Sequence, residues 1–165
     1  MSNSLAIFFI IVGAVLAAGL PGMGSARGTS LVGQAAAGVV SEDPSKFGKV
    51  LILQVLPATQ GLYGLLIAIL TLSFTGLMGG NLPAYTWQQG LAFMAADLPM
   101  AVVGYFSALH QAKAAAAGVG IVAKKPNESG KAITFAALVE TYAILALLIS
   151  VLCLNGLTNT FGAAA

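Results

Sequence analysis

Five acidic residues occur in this chain of 165: Glu42, Asp43, Asp97, Glu128 and Glu140. Glu42, Asp43 and Glu128 fall in polar stretches and read as solvated loop charges. Glu140 does not. It lies inside Ala136-Ala137-Leu138-Val139-Glu140-Thr141-Tyr142-Ala143-Ile144-Leu145, an otherwise apolar run. A bare carboxylate in hydrocarbon is costly, so Glu140 must be protonated, paired or bound to a cation.

The residues that could share this work are set by depth. Glu140 lies nine residues past Lys131, roughly 14 Å along a helix. Thr59 and Gln60 lie ten and eleven residues past Lys49, roughly 15–17 Å in. Gln111 sits about twelve residues before the charged end of its own segment, which is a similar depth. A carboxylate, a hydroxyl and two amide oxygens thus reach one level from three helices. Hard oxygen ligands suit a hard, weakly polarising cation, and no nitrogen or sulfur is offered to a transition metal. A proton site would need only the carboxyl and one acceptor. Pro57 removes a backbone donor from the same region, leaving the Leu53 carbonyl without its partner and loosening the helix beside Thr59 and Gln60. Irregular backbone at membrane depth is tolerated where it lines a site.

The elements that must carry these groups are membrane helices. The chain is 58% hydrophobic and only 7% charged, against about a quarter charged in soluble domains. Apolar segments cover about 5–38, 49–78, 88–122 and 131–156. They are separated by Ser41-Glu42-Asp43-Pro44-Ser45-Lys46, by Gly79-Gly80-Asn81-Leu82-Pro83, and by Lys124-Lys125-Pro126-Asn127-Glu128-Ser129-Gly130-Lys131. None shows period-2 alternation, and helices satisfy their own backbone in lipid. The expected fold is an all-α membrane protein of four transmembrane helices, with the longer first and third segments running on as helix at their charged ends. No Lys or Arg precedes the first apolar run, so it reads as a span and not as a secretory signal.

All seven basic residues, Arg27, Lys46, Lys49, Lys113, Lys124, Lys125 and Lys131, lie in or approaching the first and third connections. The positive-inside rule then puts those two loops in the cytoplasm and both termini outside. Arg27 and Lys113 must snorkel or lie on the cytoplasmic extensions. The single cysteine, Cys153, excludes an internal disulfide and a cysteine metal cluster. A net charge of +2 gives no reason to expect a nucleic-acid partner.

The halves repeat at a shift of 82 residues. Gly22 meets Gly104, Ser25 meets Ser107, Pro44 meets Pro126, Gly48-Lys49 meets Gly130-Lys131, and Thr59 meets Thr141. The expected organisation is two helical hairpins, residues 1–80 and residues 81–165. An even number of spans per repeat makes the copies parallel, a geometry that can continue as a ring. Small residues in the first and third spans, such as Gly13, Gly24, Gly28, Ala101, Gly104 and Ala108, suit a crowded inner layer, with the bulkier second and fourth spans outside. Position 58, the partner of Glu140 in this register, is Ala58, so each chain has one ion-carrying carboxylate.

These residues resemble a family, the rotor-ring proteolipids (subunit K) of bacterial V-type sodium ATPases. The likeness covers nearly the whole chain. It is strongest in Gly24-Ser25-Ala26-Arg27-Gly28, in Leu56-Pro57-Ala58-Thr59-Gln60-Gly61-Leu62-Tyr63-Gly64, in Gln111-Ala112-Lys113 and in Val139-Glu140-Thr141-Tyr142. The resemblance implies a Na+ site formed by Glu140, Gln111, Gln60, the Thr59 hydroxyl and the Leu56 carbonyl, with Tyr63 bonding Glu140 to close it. It also implies rotary translocation. Copies of the chain would form a ring in the cell membrane. A stator subunit would supply half-channels and an Arg, and central stalk subunits would connect to a soluble ATPase sector. The chain itself has no Gly-rich phosphate loop and no ATP chemistry. A proton-carrying ring of the same build is the rival expectation. A small secondary transporter is a more distant one, which the parallel repeat and single Glu disfavour. Asp97 departs from the family pattern. It lies fourteen residues before Gln111, roughly 21 Å along a helix, and so belongs to another level. The expectation there is a neutral or water-contacting side chain on the ring interior. His110 faces about 100° away from Gln111 and reads as structural.

Overall fold

The computed structural model describes residues 2–80 and 83–162, so Asn81 and Leu82 of the second connection lie outside the described residues. The chain is helical throughout, with no strand among the described residues. Helix α1 spans Ser2–Glu42 and leads through a 3-10 turn, Pro44–Lys46, into α2, Phe47–Val55. A second 3-10 turn, Leu56–Ala58, separates α2 from α3, Thr59–Phe74. Helix α4, Trp87–Lys124, is followed by a third such turn, Pro126–Glu128, and by α5, Ser129–Gly162. Four stretches are long and apolar enough to cross a membrane: Asn3–Glu42, Pro44–Phe74, Trp87–Lys124 and Pro126–Phe161.

The two connections in the basic regions are built alike. Pro44 and Pro126 each open a 3-10 turn, as expected where the fixed proline φ suits a helix start and the missing N–H has no helical partner. The elements around those turns begin and end in the same 82-residue register as the sequence repeat. In the first connection the Asp43 carboxylate accepts the Ser45 N–H at 3.0 Å and its hydroxyl at 2.6 Å, which holds it below the usual carboxylate range. Two lysines then cross between the repeats. Lys46 Nζ donates to the Ala123 carbonyl at 2.9 Å and Lys49 Nζ to the Pro126 carbonyl at 3.0 Å.

The repeats differ at the second span. The sequence predicts helix over 49–78 with a loosened turn at Pro57. The loosened turn is present as a single 3-10 turn over Leu56–Ala58, but α3 stops before the end of the apolar run, at Phe74. Gly76 explains the early stop. It takes a left-handed φ of 77°, while Thr75 turns its hydroxyl back to the Thr71 carbonyl at 2.7 Å, closing the last turn. No such break interrupts α5.

Helices α1 and α4 form the largest interface, with α3 packed beside α1 and α5 beside α4. Glycine lets the central pair approach. A Cβ on Gly24 would sit 2.7 Å from the Tyr105 carbonyl oxygen, and one on Gly28 would sit 3.1 Å from that of Ala108. Backbone cannot move aside as a side chain can, so these positions have room only for hydrogen. The outward faces of α3 and α5 carry exposed Leu62, Leu65, Leu138, Leu145 and Leu152, a surface fit for lipid or a further copy. Inside, one apolar cluster includes Ile10, Ile67, Phe93 and Leu154, and a second includes Val32, Leu53, Val119 and Val122. A polar layer lies between them.

Candidate ion-binding site

The polar layer is built from the end of α2, the following turn, and the facing stretches of α1, α3, α4 and α5. Pro57 sets its irregularity. Lacking an N–H, it ends α2 and forces the 3-10 turn, in which the Leu56 carbonyl accepts the Thr59 N–H. The Thr59 hydroxyl donates to that same carbonyl at 3.0 Å. On the other side of the turn, the Gly61 N–H donates to the Ser25 hydroxyl of α1 at 2.9 Å. The turn is therefore tied both to its own helix and to the neighbouring one.

Gln60 and Gln111 are wholly buried where α3 meets α4. Gln60 Nε2 donates to Gln111 Oε1 at 2.6 Å, and Gln111 Nε2 in turn donates to Glu140 Oε2 at 3.3 Å. Tyr63, one turn along α3, donates its hydroxyl to Glu140 Oε1 at 2.6 Å. Each carboxylate oxygen of Glu140 thus has one neutral donor from a different helix. Glu140 and Tyr63 are half-buried, at the outer edge of the layer, whereas the glutamines are sealed behind them. All six residues named from the sequence, Leu56, Thr59, Gln60, Tyr63, Gln111 and Glu140, fall in one connected hydrogen-bonded cluster.

Ser107 and Ser25 belong to the same layer and were not read as site residues from the sequence. The Ser107 hydroxyl donates to the Val139 carbonyl at 3.2 Å, next to Glu140, and accepts from Gln60 Nε2 at 3.5 Å. A signal for both was available, because the repeat sets Ser25 opposite Ser107 and both hydroxyls are nearly buried. His110 points elsewhere and is exposed.

Of the two readings of Asp97, the water-contacting one requires a correction: the side chain is completely buried, with Oδ1 accepting the Thr71 hydroxyl at 2.6 Å. The physical reason is that α4 turns this residue into the crevice between α1 and α3, where Gly13 leaves space for it.

The cluster can do one kind of chemistry. It offers oxygens from all six residues and a single formal charge, with no Lys, Arg or His side chain in it. Among the described residues no group of three His, Cys, Asp or Glu could hold a metal ion. A monovalent cation held by Glu140 would make the site neutral overall, whereas a divalent one would leave a net charge in hydrocarbon. The two glutamines, Thr59 and the Leu56 carbonyl are linked by hydrogen bonds within the cluster, which fixes their positions relative to one another.

The family model for the ATP synthase C-subunit matches two stretches, residues 3–71 and 94–153. The chain is 49% identical over 144 residues to V-type sodium ATPase subunit K of Enterococcus hirae, covering 87% of this chain and 88% of that protein. It is 45% identical over 145 residues to A-type ATP synthase subunit K of Methanocaldococcus jannaschii, covering 88% of this chain but 61% of that longer protein. Two matched stretches over most of the chain, the identity to subunit K and two like-built hairpins agree: the chain belongs to the ATP synthase C-subunit family.

Proposed function

We propose that this chain is a rotor-ring subunit of a rotary ATPase that carries one Na+ on Glu140, with Leu56, Thr59, Gln60 and Gln111 as the remaining ligands. The observation that carries the reading is the cluster itself: a half-buried carboxylate that accepts from Tyr63 and Gln111 and is linked through Gln60 and Thr59 to the Leu56 carbonyl, between two apolar layers. The name of the Enterococcus hirae relative, a sodium ATPase subunit, supports sodium over the proton. Tyr63 keeps the carboxylate turned inward while the ion is held.

The mechanism follows from neutralisation. An open carboxylate facing lipid is costly, so the site can travel through the bilayer only when its charge is balanced. Glu140 sits on α5 among outward-facing Leu138, Tyr142 and Leu145, where it would meet lipid and then a stator surface in turn. Sodium enters from one half-channel of the stator, the neutral site rotates, and a stator Arg displaces the ion into the other. The chain performs no ATP chemistry. Its partners are further copies in a ring, the stator, central stalk subunits and a soluble ATPase sector. We assign the repeats to residues 1–80 and 81–165, with the loops at residues 43–46 and 125–128 cytoplasmic and both termini outside.

Carbodiimide labelling of isolated rings at fixed pH tests this. Sodium is expected to protect Glu140, and E140Q is expected to remove the labelling. Equal labelling at saturating sodium would leave the proton-carrying ring as the reading.

A further inference from the structure

Asp97 is a second membrane-depth carboxyl that the sodium mechanism does not use. It lies roughly 21 Å from Gln111 along α4, too far to share an ion with Glu140. Its side chain is sealed from solvent, lipid and the Glu140 cluster. Oδ1 accepts the Thr71 hydroxyl at 2.6 Å, and Oδ2 has no hydrogen-bond partner at all. Helix α1 comes so close on that side that a Cβ on Gly13 would lie 2.5 Å from Oδ2.

No positive side chain is available to balance a charge there. Residues 1–26, 50–109 and 132–165 contain no Lys, Arg or His. These stretches include every part of α1, α3, α4 and α5 that packs in this half of the molecule. The other titratable side chains in the same half are Tyr85 and Cys153, neither of which carries positive charge, and Asp97 is its only carboxyl side chain. A single neutral hydroxyl does not offset the cost of an ionised carboxylate in hydrocarbon. The balancing species must be a cation brought from outside, and the space decides which. A hard metal ion takes several oxygen ligands, as the Glu140 cluster supplies, but here Thr71 is the one hydrogen-bond partner of the carboxyl, and α1 at Gly13 packs against the free side.

We propose that Asp97 is a single-proton site: a permanently protonated carboxyl that joins the two hairpins in the half of the membrane away from the lysine contacts. Thr71 belongs to the first hairpin and Asp97 to the second, so the bond crosses the repeat boundary. Thr71 is itself held in place, because its carbonyl accepts the Thr75 N–H at 3.1 Å and the Thr75 hydroxyl at 2.7 Å. The proton stays on Asp97 while Glu140 exchanges its cation.

Infrared spectroscopy of reconstituted rings at neutral pH tests the assignment in an E140Q background, so the result does not depend on which cation Glu140 carries. The carbonyl stretch of a protonated carboxyl is expected in E140Q and is expected to vanish in E140Q/D97N. Asparagine has nearly the shape of the protonated acid, so this ring should assemble. In E140Q/T71V the band is expected to persist and move to higher frequency, because Oδ1 has lost its donor. No carboxyl band in E140Q, or a band unchanged by D97N, would overturn the protonated state. An unshifted band in E140Q/T71V would overturn the clasp.

Discussion

At the scale of single residues, the polar layer assigns different tasks to groups that look equivalent in the sequence. Glu140 supplies the charge, the buried glutamines supply oxygens, and Tyr63 at the outer edge orients the carboxylate. Removing the Tyr63 hydroxyl leaves one carboxylate oxygen without its donor. Y63F is therefore expected to raise the sodium concentration needed for half-protection by about tenfold, the equivalent of a charge-assisted hydrogen bond of ~1.5 kcal/mol. Ring yield should be unchanged, since the ring of the side chain still packs. S107A is expected to have a smaller effect in the same direction, because Ser107 acts on Gln60 only across a weak 3.5 Å contact. Glu140, Thr59, Gln60 and Gln111 were legible because polar groups stand out against an apolar background and a helix converts residue number into depth. The serines were legible only through the repeat that sets Ser25 opposite Ser107, since an isolated Ser in a membrane helix usually bonds its own backbone. The Thr71 partner of Asp97 was not legible. Which of two helices a buried carboxyl faces depends on packing that only the folded chain reveals.

At the scale of elements, the break at Leu56–Ala58 separates the two repeats in function. The matching stretch of α5 is continuous helix, and it carries the carboxylate; the broken stretch carries the supporting oxygens. The four spans and their order followed from composition, since any helix in lipid must be apolar and about 20 residues or longer. The end of α3 did not follow, because Gly76 sits inside an apolar run and acts as a stop only through its positive φ. Proline in a helix interior typically costs ~3 kcal/mol, so its presence at position 57 sacrifices stability for shape. P57A restores the missing donor and lets α2 and α3 join. It is expected to keep or raise the melting temperature of the ring while weakening sodium protection, measured on the same preparation. A drop in both would mean that the turn is needed for folding and not for the ion. The helix pairing is open to a matched test. Gly24 abuts the Tyr105 backbone, while Gly19 has no atom within 4 Å. G24V is expected to destabilise the ring by about 1–3 kcal/mol through overpacking, seen as reduced thermal stability and yield. G19A should be neutral or slightly stabilising, since alanine favours helix by up to ~1 kcal/mol over glycine.

At the scale of the whole molecule, the asymmetry of charge supports the proposed direction of the assembly. Every Lys and Arg lies on Arg27 or beyond it in the first hairpin and at Lys113–Lys131 in the second, while the connection between hairpins has none. The same lysines bind the hairpins together, through Lys46 to Ala123 and Lys49 to Pro126. The charged end is therefore also an end where the hairpins are joined by side-chain hydrogen bonds, and the proposed stalk would grip there without shearing the repeats. On that proposal this end would face the compartment holding the ATPase sector. Single cysteines in a C153S background test the orientation. Ala84 and Asn127 are both exposed and lie at opposite ends of the spans. A membrane-impermeant maleimide is expected to label A84C in intact cells and N127C only in inverted vesicles. The reverse pattern would place the basic loops outside, and the stalk would then have to engage the uncharged connection. Among the described residues no side-chain hydrogen bond joins the hairpins at that end, because the bond between Thr71 and Asp97 lies within the spans, so the charge bias and the cross-hairpin lysine bonds together favour the cytoplasmic assignment.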